Sequence, residues 1–138
     1  MKLTVAGMVV WALAMGALIG CSMLGPGPMH GPTRSMIVTG HQHGQQVMLH
    51  RGDVLVVQLG TNPSTGHRWD VEGTLPTTLE LTSDTFVAGS ELVGTEGTQI
   101  LKFKTVATGD GRLRLIYQRS WESGVEPLDE FQLQVTVQ

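Results

Sequence analysis

A single cysteine, Cys21, in a chain of 138 residues rules out any disulfide within the protein. The fold must therefore rest on its hydrophobic core. Charge is scarce and mixed: the formal net charge is −3, with neither a basic patch nor an acidic tail. That excludes the electrostatic footprint of a nucleic-acid-binding protein. Serine, histidine and aspartate are all present, but none sits in a nucleophile setting such as Gly-x-Ser-x-Gly, so no enzymatic activity is expected. His41-x-His43, with His30 and His50 nearby, has no free thiol and no acidic residue close in sequence. A solvated histidine turn is favoured there over a metal site, and no metal or cofactor is expected. Beyond the N-terminus no segment carries a helical stripe, and no internal repeat of useful length occurs.

What the chain does contain divides into three parts. Lys2 followed by the apolar run Leu3 to Ile19 has the form of a secretory leader. It ends in Leu18-Ile19-Gly20-Cys21, which resembles a bacterial lipobox. The resemblance implies cleavage before Cys21 and a diacylglycerol on its thiol, so residues 1–20 are read as a lipoprotein signal peptide. The alternative is an uncleaved anchor, since roughly 20 apolar residues span a bilayer. Removing the leader also removes Lys2 and leaves the protein more acidic. Acylation anchors a protein to a membrane without spanning it. With Ser22 after the cysteine, the expected location is the cell envelope, and the outer membrane if the host is Gram-negative. Residues 21–34, with Gly25-Pro26-Gly27-Pro28 and Gly31-Pro32, form a tether. Residues 35–138 are read as one domain.

Within that domain, period-two runs recur between Gly, Pro, Asn and Asp, which is the pattern of half-buried strands. Strands are expected at Met36–Thr39, Gln46–His50, Val54–Leu59, His67–Val71, Leu79–Phe86, Thr98–Val106, Arg112–Gln118 and Asp129–Val137. In the last of these Phe131, Leu133, Val135 and Val137 share one face, and Gln132, Gln134 and Thr136 the other. Leu113, Leu115 and Tyr117 alternate likewise with Arg112 and Arg114, and Trp69 and Val71 with Arg68 and Asp70. Gly109-Asp110-Gly111 reads as a tight hairpin turn. The expected fold is all-β, an immunoglobulin-like antiparallel sandwich of seven to eight strands.

Three links stand out. Asn62-Pro63-Ser64-Thr65-Gly66-His67 is stiffer than a strand connection requires. Pro63 fixes its own φ and biases Asn62 toward extended geometry, while Gly66 permits a positive φ. The second link is Val93-Gly94-Thr95-Glu96-Gly97-Thr98, and the third is Arg119-Ser120-Trp121. In a sandwich, links between alternate strands gather at one end, so the three are expected to form one edge.

These segments, in this order, resemble the hallmarks of the chagasin-type inhibitors of papain-family cysteine peptidases. Those hallmarks are Asn-Pro-Thr-Thr-Gly-aromatic, Gly-x-Gly-Gly and Arg-Pro-Trp. The likeness runs from about Met36 to Val137 and includes the Gly66-to-Trp69 step and the Tyr117-x-Arg119 approach. It implies the immunoglobulin-like fold and a papain-like cysteine peptidase as partner; a monomer is expected. It also implies a wedge: Asn62 to Gly66 across the catalytic cysteine and histidine, with Thr65 nearest the centre. Arg119 and Trp121 would touch the primed side, and Gly94, Thr95, Glu96 and Gly97 would line the unprimed cleft. Four positions depart from the pattern. Ser64 replaces Thr, His67 an aromatic residue, Glu96 a Gly and Ser120 a Pro. If position 96 needs a positive φ, Glu96 costs about 1 kcal/mol or more; Ser120 would loosen the third loop. The alternative function is a lipoprotein that keeps the sandwich but has lost inhibition.

Overall fold

The computed structural model describes residues 32–92 and 94–138. The expected signal peptide, Cys21, most of the tether and Val93 lie outside the described residues.

The alternating runs become eight strands: β1 (Ser35–Thr39), β2 (Gln46–Leu49), β3 (Val54–Thr61), β4 (His67–Val71), β5 (Leu79–Ala88), β6 (Gly97–Thr105), β7 (Gly109–Arg119) and β8 (Asp129–Val137). They form two four-stranded sheets, ordered β1-β3-β6-β5 and β2-β8-β7-β4. Their inward residues make one core. Leu55, Val57, Leu59, Leu101 and Phe103 of the first sheet face Leu113, Leu115, Phe131, Leu133 and Val135 of the second. Period-two alternation places these side chains on one face of each strand, and their burial is the main favourable term in folding.

The sandwich is the expected one, with a difference at two edges. β1 pairs parallel with β3, and β2 parallel with β8. The chain ascends as β1, turns, descends in the other sheet as β2 and ascends again as β3. Strands separated by one return leg in the opposite sheet share a direction. The turn between β1 and β2 is built by a 3-10 helix, Gly40–Gln42, whose Gln42 side chain accepts from the Thr39 amide (2.7 Å) and hydroxyl (2.9 Å). His43 then uses Nδ1 to accept the Gln132 amide of β8 (3.1 Å), and its ring meets Phe131 edge-on.

Gly109–Gly111 is not a turn. β6 and β7 lie in different sheets, so they do not form a hairpin, and Gly109 and Gly111 pair with Val137 and Val135. Glycine is needed there for close approach. A Cβ on Gly111 would lie 2.4 Å from Pro76 Cβ, well inside van der Waals contact.

On the outer face of the second sheet, Arg114 makes two hydrogen bonds to Glu130, at 2.9 and 2.8 Å. These bonds, joined by one from Gln132, hold the Glu130 carboxyl down to about 2. The Arg114 guanidinium is correspondingly raised.

Candidate functional site

Register brings the three links to one end of the sandwich. Thr61 pairs with Gly97, Gly97 with Ala88, and His67 with Arg119. The first link differs from the other two in kind. β5–β6 and β7–β8 are connections within a sheet, whereas the β3–β4 link crosses from one sheet to the other.

The crossing segment folds as a one-turn 3-10 helix, Pro63–Thr65. Asn62 caps it: its Oδ1 accepts the Ser64 amide (3.1 Å) and hydroxyl (2.6 Å). Pro63 sits at the first helical position, where its missing N–H leaves no bond unmade. Gly66 ends the turn at φ 78° and donates its amide to the Pro63 carbonyl (3.0 Å). The Thr65 hydroxyl donates to the Asn62 carbonyl (2.8 Å). Its proton so placed, that oxygen accepts from His67 Nδ1 at 3.0 Å. Thr65, the residue expected nearest a catalytic centre, is thus exposed with its hydroxyl engaged in bracing the loop.

The β7–β8 link holds this loop from the side. Arg119 Nε donates to the Thr65 carbonyl (2.9 Å), and Arg119 Nη1 to Glu122 (3.1 Å). Arg119 thus ties the central loop to its own link while part of its side chain stays exposed. Ser120 occupies the second position of a β-turn closed by the Glu122 amide on the Arg119 carbonyl (3.2 Å). Proline favours that position, but the turn forms without it. Trp121 is 69% exposed. Its ring lies against Gly66, where an added Cβ would stand 2.1 Å from the ring. The glycine is required twice, by its left-handed backbone and by the tryptophan seated on it.

The β5–β6 link is attached more lightly. Asn62 Nδ2 reaches the Gly94 carbonyl at 3.4 Å, a long bond. Gly94 has φ 84°. Glu96 does not, since no described residue other than glycine has a positive φ. The strain expected at Glu96 is absent. Its carbonyl closes the hairpin by accepting the Gly89 amide (3.1 Å) while its side chain is exposed. Gly97 has a structural reason, because a Cβ there would lie 2.4 Å from the Val87 carbonyl oxygen and 2.5 Å from the Phe86 ring. Thr95 is half-buried and bonds within the link to Ser90 (3.0 Å).

Residues behind the loops have contacts that the motifs do not specify. The Tyr117 hydroxyl accepts the Asn62 amide (3.1 Å), and its ring lies between those of His67 (5.3 Å) and Trp69 (5.1 Å). Buried Gln99 bonds the Trp69 amide and carbonyl, both at 2.8 Å, so that a side chain pairs with β4 as a strand would. The signal for Gln99 was present: it is the polar residue on an inward face shared with Leu101 and Phe103, and buried amides require partners. A hollow of about 330 Å³ opens beside the ridge, between His67 and Arg119 on one side and Val125 and Leu128 on the other. Of nine exposed large apolar side chains among the described residues, six lie at this end: Phe86, Val87, Leu92, Trp121, Val125 and Leu128.

The chain is similar to known proteins in sequence and in fold. Amoebiasin-2 of Entamoeba histolytica is 37% identical over 89 residues, covering 62% of this chain and 71% of that protein. The crystal structure of the cysteine protease inhibitor EhICP2 from Entamoeba histolytica superposes with a TM-score of 0.70 at 31% identity, covering 78% of this chain and 99% of the other. PbICP-C, solved in complex with falcipain-2, shares the fold at a TM-score of 0.51 and 19% identity, over 76% and 99% of the two chains. The family model for chagasin family peptidase inhibitors, I42, matches residues 48–135, a span that contains every motif residue described above. On that match the chain belongs to the chagasin family of peptidase inhibitors.

Proposed function

We propose that this protein is a reversible, tight-binding inhibitor of papain-like cysteine peptidases that occludes the active-site cleft with three loops. The observation that carries the reading is the joining of the links into one ridge, with Arg119 on the Thr65 carbonyl and Trp121 seated on Gly66. A ridge already held in one shape loses little entropy on binding, so its contacts convert efficiently into affinity. Exposed Trp121 supplies a large, rigid apolar anchor. The central loop also resists cleavage in this reading. Its residues are wound into a 3-10 turn with the Ser64, Thr65 and Gly66 amides bonded inside the loop. No extended strand is presented for a peptidase to pair with and cut.

In this mechanism Asn62 to Gly66 lie across the catalytic cysteine and histidine, with Trp121 on the primed side and Gly94 to Gly97 along the unprimed cleft. Arg119 supports the wedge from behind. The reading in which the sandwich has lost inhibition rested on Glu96 and Ser120, and neither disrupts its loop. Titration of papain with the purified protein tests the proposal. Stoichiometric, reversible loss of activity is expected, and absence of inhibition at micromolar protein contradicts it.

We propose further that Cys21 carries a lipid. β1 begins at Ser35 beside Val54, at the end of the sandwich opposite the ridge, so an anchor there leaves the loops pointing away from a bilayer. Cys21→Ser should release the protein from the membrane fraction and abolish incorporation of labelled palmitate; unchanged fractionation and labelling contradict acylation at that residue.

A further inference from the structure

The central loop joins two strands that share no ladder. β3 belongs to one sheet and β4 to the other. The spacing of the loop's two ends is therefore set by bonds across the sandwich, and these converge on a few side chains. Trp69 Nε1 donates to the Gly60 carbonyl at 2.9 Å, and the Gln99 amide fixes Trp69 to β6. Two hydroxyls, those of Tyr117 and Thr61, together link both ends of the loop. The Tyr117 oxygen accepts the Asn62 amide at 3.1 Å, where the loop begins. The Thr61 hydroxyl donates to the His67 carbonyl at 3.2 Å, where the loop ends, and lies 3.4 Å from the Tyr117 oxygen. The Thr61 hydroxyl thus stands between the Tyr117 oxygen and the His67 carbonyl, and the contacts run from Asn62 through Tyr117 and Thr61 to His67.

We infer that Tyr117 is a positioning residue for inhibition, its hydroxyl holding the start of the loop at Asn62 and, through Thr61, bearing on its end at His67, and so setting the shape of the wedge. The inference rests on the reading of Asn62–Gly66 as the part that enters the cleft. Tyr117 itself stands behind the loop, half-buried with its ring against His67 and Trp69. Its effect on a peptidase passes through the loop. The physical basis is population: a loop that is in the binding shape only part of the time binds more weakly by that fraction. Without the hydroxyl, the Asn62 amide loses its partner and the loop base is free to spread.

Tyr117→Phe separates these contributions because it keeps the ring and removes one oxygen. In the full-length protein the inhibition constant for papain should rise about tenfold, as expected if the competent population falls to about a tenth. The same variant combined with Thr65→Ala should lose less than the product of the two single losses, since both act on one loop. Amide hydrogen exchange in the free protein reads the loop without any peptidase. Exchange at Ser64, Thr65 and Gly66 should accelerate about tenfold in Tyr117→Phe, while Leu113 and Val135 in the core strands keep their protection. A lower melting temperature with an unchanged inhibition constant overturns the inference and leaves Tyr117 a packing residue. Additive losses with unchanged loop exchange overturn it as well, making Tyr117 a direct contact. If the wild-type protein fails to inhibit papain, the proposed function falls, and loop exchange still decides whether Tyr117 sets the loop.

Discussion

The two ends of the sandwich are both closed by tightly bonded turns, yet they present different surfaces. At the far end, the Asp53 carboxylate accepts the His50 amide (2.8 Å), and the Thr105 hydroxyl lies 2.8 and 2.9 Å from the His50 and Asp53 carbonyls. Asp53 and Thr105 are buried. At the ridge, Asn62 and Thr65 make an equivalent set of local bonds, but Pro63, Ser64 and Thr65 are exposed. Each turn carries a left-handed glycine, Gly52 at φ 94° and Gly66 at φ 78°. A Cβ on Gly52 would meet nothing within 4 Å, whereas one on Gly66 would strike Trp121. Rigidity alone therefore marks no function; rigidity that supports exposed apolar side chains does.

Matched glycine substitutions test that distinction most severely. Gly52→Ala and Gly66→Ala should each cost about 1–2 kcal/mol of stability, the strain of a left-handed non-glycine residue. Only Gly66→Ala also evicts Trp121 from its seat. Its inhibition constant should rise by about a hundredfold or more, the loss expected when a central anchor is displaced. Gly52→Ala should leave the constant unchanged. Urea unfolding and papain titration of the two variants suffice, and equal effects on inhibition would erase the contrast between the ends.

Removing side chains at each end gives the next largest separation. Trp121→Ala should weaken inhibition by about thirtyfold or more, as loss of an anchor worth roughly 2 kcal/mol. Its melting temperature should barely move, because the ring is 69% exposed. Asp53→Ala should do the reverse: about 1–2 kcal/mol less stable, through loss of its bond to the His50 amide, with inhibition intact. A Trp121→Ala variant that unfolds would show the ring to be structural.

Most of the fold could be read from the chain because half-buried strands declare themselves by alternation. All eight strands fall where the pattern places them. Parallel pairing at β1 and β2 was not legible, since alternation reports which face is buried and says nothing of which sheet a strand joins. Gly109–Gly111 misled for a related reason. Glycine marks turns and close approaches alike, and only the packing of Pro76 decides between them. The ridge residues could be read as motifs, but their division of labour could not. The support that Arg119 gives the central loop was not legible, because its bond to the Thr65 carbonyl arises only when two links fold side by side.

The two departures in the flanking loops sharpen the comparison within the ridge itself. Ser120→Pro should stabilise the protein by about 0.4–1 kcal/mol, because it restricts the unfolded chain at a turn position that suits proline. Arg119 already lies in a strand, the geometry that a following proline requires. Glu96→Gly should do the opposite and lose up to about 1 kcal/mol, since Glu96 has no positive φ to relieve. A gain in urea midpoint for Glu96→Gly would mean that the β5–β6 link is strained after all.

The smallest effect belongs to a pair that serves neither end. Glu130, held at about 2 by its bonds from Arg114, lies on the outer face of the second sheet, paired in register with Ile116. A carboxyl whose folded value is depressed below its ordinary 4.5 stabilises the fold fully above that ordinary value. The contribution fades as pH falls from about 4.5 toward 2 and the group protonates. Solvent exposure keeps it small. Comparing the urea midpoints of wild type and Glu130→Gln across that window should show the wild-type advantage shrinking on acidification. Inhibition measured at neutral pH should be the same for both. A change in inhibition would mean that the outer face of the second sheet communicates with the ridge, and the separation of supporting scaffold from binding end would no longer hold.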